Sequence, residues 1–161
     1  MAALVSVQSS TDVRWLSPEE QSVWRAFLDV ARLMMDQMNR QLSDDSGMSL
    51  PEYEILVALS EAPDRRLRMS ELAERVVSSR SRITHTVARM EERGLVRREA
   101  CLDDGRGVLC VLTDAGFAVL EAAAPGHVET VRSLMFDPLP PGDVEALGRA
   151  LGMVRDELRR R

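Results

Sequence analysis

Residues 69–94 read MSELAERVVSSRSRITHTVARMEERG, and the reading of this stretch decides the fold. Met69 through Val77 has the pattern of a short helix, capped by Ser70. Ser78 and Ser79 interrupt it. One of them caps a further helix that runs to Arg93, with Ile83, Val87 and Met90 on its inner side and Gly94 as its stop. Two short helices joined by a tight polar turn predict a helix-turn-helix. At about 100° per residue, the side of the second helix away from Ile83 carries Ser81, Arg82, His85, Ala88 and Arg89. These side chains are short or rich in donors, as entry into a DNA major groove requires. Arg80 and the hydroxyls of Ser78 and Ser79 fall at the start of that helix, where backbone N–H groups favour phosphate.

Immediately downstream, the β-rich runs Leu95-Val96-Arg97-Arg98 and Val108-Leu109-Cys110-Val111-Leu112 flank Asp103-Asp104-Gly105-Arg106, and Asp-Gly between such runs predicts a hairpin. The hairpin is a wing beside the helix pair. With Asp104-Gly105 as a two-residue turn, Cys101 pairs with Val108, and Cys110 lies diagonally on the same face.

Upstream, Ser17-Pro18-Glu19-Glu20 predicts a helix start with Ser17 as N-cap and Glu20 closing a capping box. Apolar residues from Trp24 to Leu42 keep helical spacing to about residue 43, before Gly47. Ser49-Leu50-Pro51-Glu52 repeats the start signal for a helix carrying Tyr53, Leu56, Val57 and Leu59, which Pro63-Asp64 stops. Beyond the wing, Thr113-Asp114-Ala115-Gly116 opens a helix with a kink at Pro125-Gly126. Prolines 138, 140 and 141 break the chain, and a last helix carries Val144, Leu147, Leu151, Val154 and Leu158. Apolar stripes at both ends of the chain suit a dimer interface. The reading is a mainly α fold with a small β wing. A loose arm (residues 1–16) precedes a dimerisation helix (17–45), a winged helix-turn-helix (46–113) and C-terminal dimerisation helices (114–161).

The 161 residues are 45% hydrophobic, 29% charged and 4% aromatic, which excludes wholesale disorder and, with 9 Gly and 7 Pro, makes helix dominant. A net charge of −5 argues by itself against a nucleic-acid partner. The charge is uneven, however, and all 21 basic residues are arginine. Residues 65–106 hold eleven arginines against seven acids, or +4, whereas the remainder holds ten against nineteen, or −9. The basic charge therefore gathers on the helix-turn-helix and hairpin, the footprint of a DNA-binding module on an acidic scaffold.

Two cysteines and two histidines supply no zinc set, and no cofactor is expected. The absence of an apolar run of membrane length points to a cytoplasmic protein without a membrane partner. His85 and His127 have no sequence neighbours that suggest a catalytic triad, and no phosphate-binding glycine loop is present. An enzyme is the poorer reading. A thiol redox switch at Cys101 and Cys110, and a winged helix used only for protein contacts, are the alternatives to DNA binding.

The segments Met69-Ser70-Glu71-Leu72-Ala73, Arg82 through Val96, and Asp104-Gly105-Arg106 leading into Leu112-Thr113 together resemble the winged helix-turn-helix of the MarR family of bacterial transcription regulators. With the flanking helices, the likeness covers nearly the whole chain. The resemblance implies a homodimer that binds double-stranded DNA, with the recognition helix in the major groove and the wing-tip Arg106 in the minor groove, oriented by Asp104. Cys101-Leu102-Asp103 stands where the family often has Asp-x-Arg, so one wing arginine is missing. The DNA-contacting set is then Ser78, Ser79, Arg80, Ser81, Arg82, Thr84, His85, Arg89, Arg97, Arg98, Asp104 and Arg106. The resemblance also implies a small aromatic or anionic effector, for which Trp15, Trp24, Arg25 and Tyr53 are candidate lining residues.

Overall fold

A computed structural model describes residues 13–101 and 107–161 of the chain. In chain order the described elements are α1 (Pro18–Ser46), α2 (Leu50–Ser60), β1 (Arg66–Arg68), α3 (Met69–Arg75), α4 (Arg80–Glu92), β2 (Val96–Ala100), β3 (Val108–Leu112), α5 (Asp114–Val131) and α6 (Asp143–Arg160). A 3-10 turn precedes β1, and a π-helical turn, Arg132–Phe136, follows α5. The chain divides into two compact units at Leu33–Met34, within α1.

The first unit is the N-terminal part of α1. Its start is the predicted capping box: the Ser17 N–H donates to Glu20 Oε2 at 2.8 Å, and the Glu20 N–H donates to Ser17 Oγ at 3.2 Å. Trp24 and Phe27 stack with ring centroids 5.8 Å apart. Val23, Trp24, Phe27, Val30 and Leu33 are all exposed.

The second unit holds the core. Leu42, Ile55, Leu56, Leu59, Leu72, Val87 and Met90 are fully buried together, with Val96 and Cys110 closing the cluster from the sheet. The Asn39 side chain accepts the Leu50 N–H at 3.0 Å, so the end of α1 helps to start α2. Gly47, at φ +63°, supplies the left-handed turn between them.

The sheet order is β1-β3-β2, all antiparallel. Strand β1 had no signal in the sequence; it pairs Leu67 with Cys110 and occupies the edge of β3 that the wing hairpin leaves open. The register of the hairpin corrects the expectation by one residue. Ala100, not Cys101, is paired with Val108, and the Cys101 N–H donates to the Gly107 carbonyl at 2.8 Å. Side chains alternate along a strand, so this shift sends Cys101 and Cys110 to opposite faces. Both thiols are free and buried, and burial pushes that of Cys110 up to about 12. The diagonal thiol pair does not exist.

Two further expectations change. Helix α3 begins at Met69 with Arg68 as its N-cap, whose N–H donates to Glu71 at 3.2 Å, so Ser70 lies inside the first turn and does not cap it. Helix α5 runs through Pro125 to Val131, and the irregularity falls at Arg132–Phe136. Asp104 and Arg106 of the wing tip lie outside the described residues, as does most of the N-terminal arm.

Two backbone positions give opposite stability tests. Gly116 opens α5 beneath Leu95, and a Cβ there would collide with the Leu95 carbonyl and reach Leu112 Cδ1 at 2.9 Å. Gly116→Ala is expected to lower the unfolding free energy by about 1–3 kcal/mol. Val77 has φ +48° and is 88% exposed, a left-handed conformation that β-branched side chains resist. Val77→Gly is expected to raise it by about 1 kcal/mol. Urea denaturation monitored by far-UV circular dichroism reads both.

Candidate nucleic-acid interface

Helices α3 and α4 form the predicted helix-turn-helix because each buries a narrow stripe. Leu72 and Ala73 of α3, and Ile83, Thr86, Val87 and Met90 of α4, are the buried residues. Thr86 was not anticipated, yet it stands three residues after Ile83 and four before Met90, on the same stripe. Val77 makes the turn with its positive φ, and the Ser78 N–H returns to the Ala73 carbonyl at 2.9 Å. Ser79 is the N-cap of α4, accepting the Arg82 N–H at 3.4 Å; its hydroxyl lies 3.4 Å from that of Ser81.

With the inner stripe fixed, Ser79, Arg80, Ser81, Arg82, Thr84, His85 and Arg89 are all exposed, and Ser78 is half-buried. Thr84 donates its hydroxyl hydrogen to the Arg80 carbonyl at 2.8 Å, leaving its oxygen lone pairs outward. The structure thus brings the predicted residues of this helix onto one solvent face.

The charges separate into two groups. Most arginines outside the helix-turn-helix are held by acids, as in Arg40–Asp36, Arg65–Asp114, Arg93–Glu52 and Arg149–Glu145. Among the described residues, Arg75, Arg80, Arg82 and Arg89 of the helix-turn-helix have no acidic partner, and outside it Arg25, Arg32 and Arg159 have none. Arg75, at the end of α3, was missed in the sequence, where nothing separates it from a solvated helix terminus. An exposed guanidinium with every donor unfilled is available to phosphate oxygens or base edges.

On the wing the arginines are already engaged. Arg97 Nε donates to Glu99 at 2.6 Å. Arg98 donates its backbone N–H to Glu91 Oε1 at 2.7 Å and its Nε to Oε2 at 2.8 Å, with Nη2 2.6 Å from the same oxygen. These bonds from Arg98 hold the Glu91 carboxyl below the usual range. They fasten β2 to the end of α4, so the hairpin is oriented by α4 itself.

A cavity of about 830 Å³ lies behind this face. Met35, Met38, Tyr53, Val57, Ile83 and Thr86 contribute to its wall, together with Arg75, Arg82, His127 and Arg159. The Tyr53 and His127 rings stand 4.4 Å apart at 46°. Burial lowers the His127 pKa and raises those of Tyr53 and Glu54. Of the candidate effector residues, Tyr53 is the one on this wall. Trp15, Trp24 and Arg25 belong to the first unit, where Arg25 donates to Gln21 at 3.4 Å. Among the described residues no group of His, Cys, Asp or Glu is placed to hold a metal ion, and no helix is long and apolar enough to cross a membrane.

The pattern of the MarR family matches residues 46–107. Similar solved structures include Sco3205, a MarR family transcriptional regulator from Streptomyces coelicolor in complex with DNA. It is 48% identical, with 89% of this chain and 94% of that one covered and a TM-score of 0.86. AbsC, a MarR family transcriptional regulator from the same organism, is 42% identical over 92% of this chain and 100% of its own, with a TM-score of 0.87. The transcriptional regulator HosA of Escherichia coli is 33% identical over 101 residues, 63% of this chain and 73% of its own.

Two outcomes follow from the local geometry. Glu91→Gln is expected to loosen the wing, read as faster amide hydrogen exchange in residues 96–112 with little change in α2. His127 has a lowered pKa in the folded state, so the unfolded chain takes up a proton first as pH falls through 6.5. Stability present above that pH is lost below it, and His127→Phe should lose less between pH 7.5 and 5.5 than the native chain, measured by urea midpoints.

Proposed function

The chain belongs to the MarR family of transcriptional regulators, and on that premise we propose that it is a homodimeric, ligand-responsive repressor that binds a pseudo-palindromic operator. The observation that carries the reading is the exposed face of α4 with its unpartnered guanidiniums. Arg82, Thr84, His85 and Arg89 read base edges in the major groove. Ser78, Ser79, Arg80 and Ser81 meet phosphates at the start of α4, where the helix dipole and free N–H groups attract anions. Arg97 and Arg98 add phosphate contacts from the wing, Arg98 through the Nη1 that Glu91 leaves free. Arg106, oriented by Asp104, reads the width of the minor groove. The DNA in the Sco3205 structure, at 48% identity over 89% of this chain, supports the assignment of double-stranded DNA as the partner.

A second copy of the chain is the partner for the exposed apolar side chains of the terminal helices. Val23, Trp24, Phe27, Val30 and Leu33 lie in the first unit, and Val144, Leu151, Met153, Val154 and Leu158 lie on α6. Faces of this kind are uncommon on monomers. Dimer symmetry places two half-sites about one helical turn, or 10 bp, apart. The cavity beside Tyr53 receives a small aromatic or anionic effector, and occupancy favours a spacing of the two recognition helices that no longer matches the groove period.

The test is an operator selected from genomic DNA and titrated in a gel shift. Arg89→Gln and Arg106→Ala are each expected to weaken specific binding by about 1–3 kcal/mol. Arg97→Gln should weaken all sequences alike and reduce the salt slope by about one. Unchanged affinity in Arg89→Gln would remove α4 from the groove.

A further inference from the structure

The outward face of α4 is itself divided. At about 100° per residue, Thr84 and Ala88 stand about 40° apart on one flank, Arg82 and Arg89 stand about 20° apart on the other, and Ser81 and His85 lie between them. One flank therefore carries methyl groups and the other guanidiniums. Thr84 is exposed and Ala88 half-buried. From Ser81 to Arg89 there is no Asn, Gln, Asp or Glu. This stretch supplies neither the paired donor and acceptor that adenine takes nor a carboxylate for the cytosine amino group.

The Thr84 side chain is fixed by its own helix. Its hydroxyl hydrogen is donated to the Arg80 carbonyl, one turn back, at 2.8 Å. That bond holds the χ1 rotamer and consumes the one donor of the side chain. Thr84 meets guanine O6 or N7, or adenine N7, only by breaking it. What remains for a groove is a methyl group and oxygen lone pairs, with the Ala88 methyl beside them one turn on. The same flank faces the hairpin, where Thr84 borders a notch of about 330 Å³ together with Met69, Val108 and Arg98. Met69 and Val108 extend the apolar surface there, and Val108 is exposed. Of the four bases, thymine alone offers the major groove an apolar group, its C5-methyl.

We infer that Thr84 is a specificity-determining residue whose methyl, backed by that of Ala88, packs on the C5-methyl of one thymine in each half-site of the operator. The inference rests on the reading of α4 as the helix in the major groove and adds the identity of a base. Arg82 and Arg89, on the other flank, have the donors that guanine edges accept.

The test pairs a methyl on the protein with a methyl on the DNA. Each thymine of the selected operator is replaced in turn by deoxyuridine, which lacks only the C5-methyl and keeps every hydrogen-bonding group. Binding to the full-length native protein, Thr84→Ser and Thr84→Val is then titrated by fluorescence anisotropy. At one thymine in each half-site, the native protein is expected to lose about fourfold in affinity on the replacement, the value of one buried methyl group. Thr84→Ser, which keeps the hydroxyl and lacks the methyl, binds the two DNAs alike. Thr84→Val, which keeps a methyl at that place and lacks the hydroxyl, retains the preference for thymine. Each ratio compares two DNAs on one protein, so a change in the stability of a variant cancels. Indifference of the native protein to deoxyuridine at every thymine, an undiminished preference in Thr84→Ser, or its loss in Thr84→Val overturns the inference and leaves α4 as the groove helix. Native operator affinity in Arg89→Gln, together with that indifference, overturns both readings.

Discussion

The carboxylate of Glu52 is the interaction on which the winged module is assembled. It is 6% exposed, and a buried carboxylate is costly unless its oxygens are filled by donors. Oε2 accepts the Ser49 N–H and hydroxyl, both at 2.8 Å, which completes the start of α2. Oε1 accepts Arg93 Nη1 at 3.2 Å, at the C-cap of α4. One buried charge therefore fixes the beginning of one helix to the end of another. Helix α4 is tied down at that end, with Arg80 and Arg82 unpaired at its start and Arg89 in its last turn. Removal of Arg93 would leave the buried Glu52 carboxylate without its cation.

The same logic separates arginines engaged by carboxylates from those left open. Arg93 and Arg98 have their donors on Glu52 and Glu91, and both hold α4 in place. Arg75, Arg80, Arg82 and Arg89 are left without acids among the described residues. The protein carries many acids, so which arginines stay unpaired is a property of where the chain folds them. An overall charge of −5 says nothing about it. A regulator needs such a surface because every guanidinium already satisfied internally must break a bond before it meets a phosphate.

Local signals were legible wherever one segment contained both partners. The capping boxes at Ser17–Glu20 and Ser49–Glu52, the stripe Ile83–Val87–Met90 and the stop at Gly94 all appear as read. Reading failed where the deciding partner lay elsewhere in the chain. Strand β1 is three residues long and has no alternating pattern of its own; it forms because β3 offers an edge. A turn assumed to hold two residues shifted the hairpin by one, and one residue is enough to exchange the faces of a strand. Ser70 is a good capping residue in isolation, but β1 runs into α3 without a gap and leaves Arg68 at the junction.

The sequence by itself determined the helix-turn-helix, the wing, the polarity of charge along the chain and the outward face of α4. These follow from periodicity and from capping chemistry, which operate over a few residues. Only the tertiary structure decided which arginines are engaged by acids and which remain open, that Tyr53 meets His127 while Trp24 stacks on Phe27, and that the exposed Arg82 also lines a cavity. Those outcomes depend on contacts between residues far apart in the chain, where an ion pair or a cavity wall has no periodic trace in the order of amino acids.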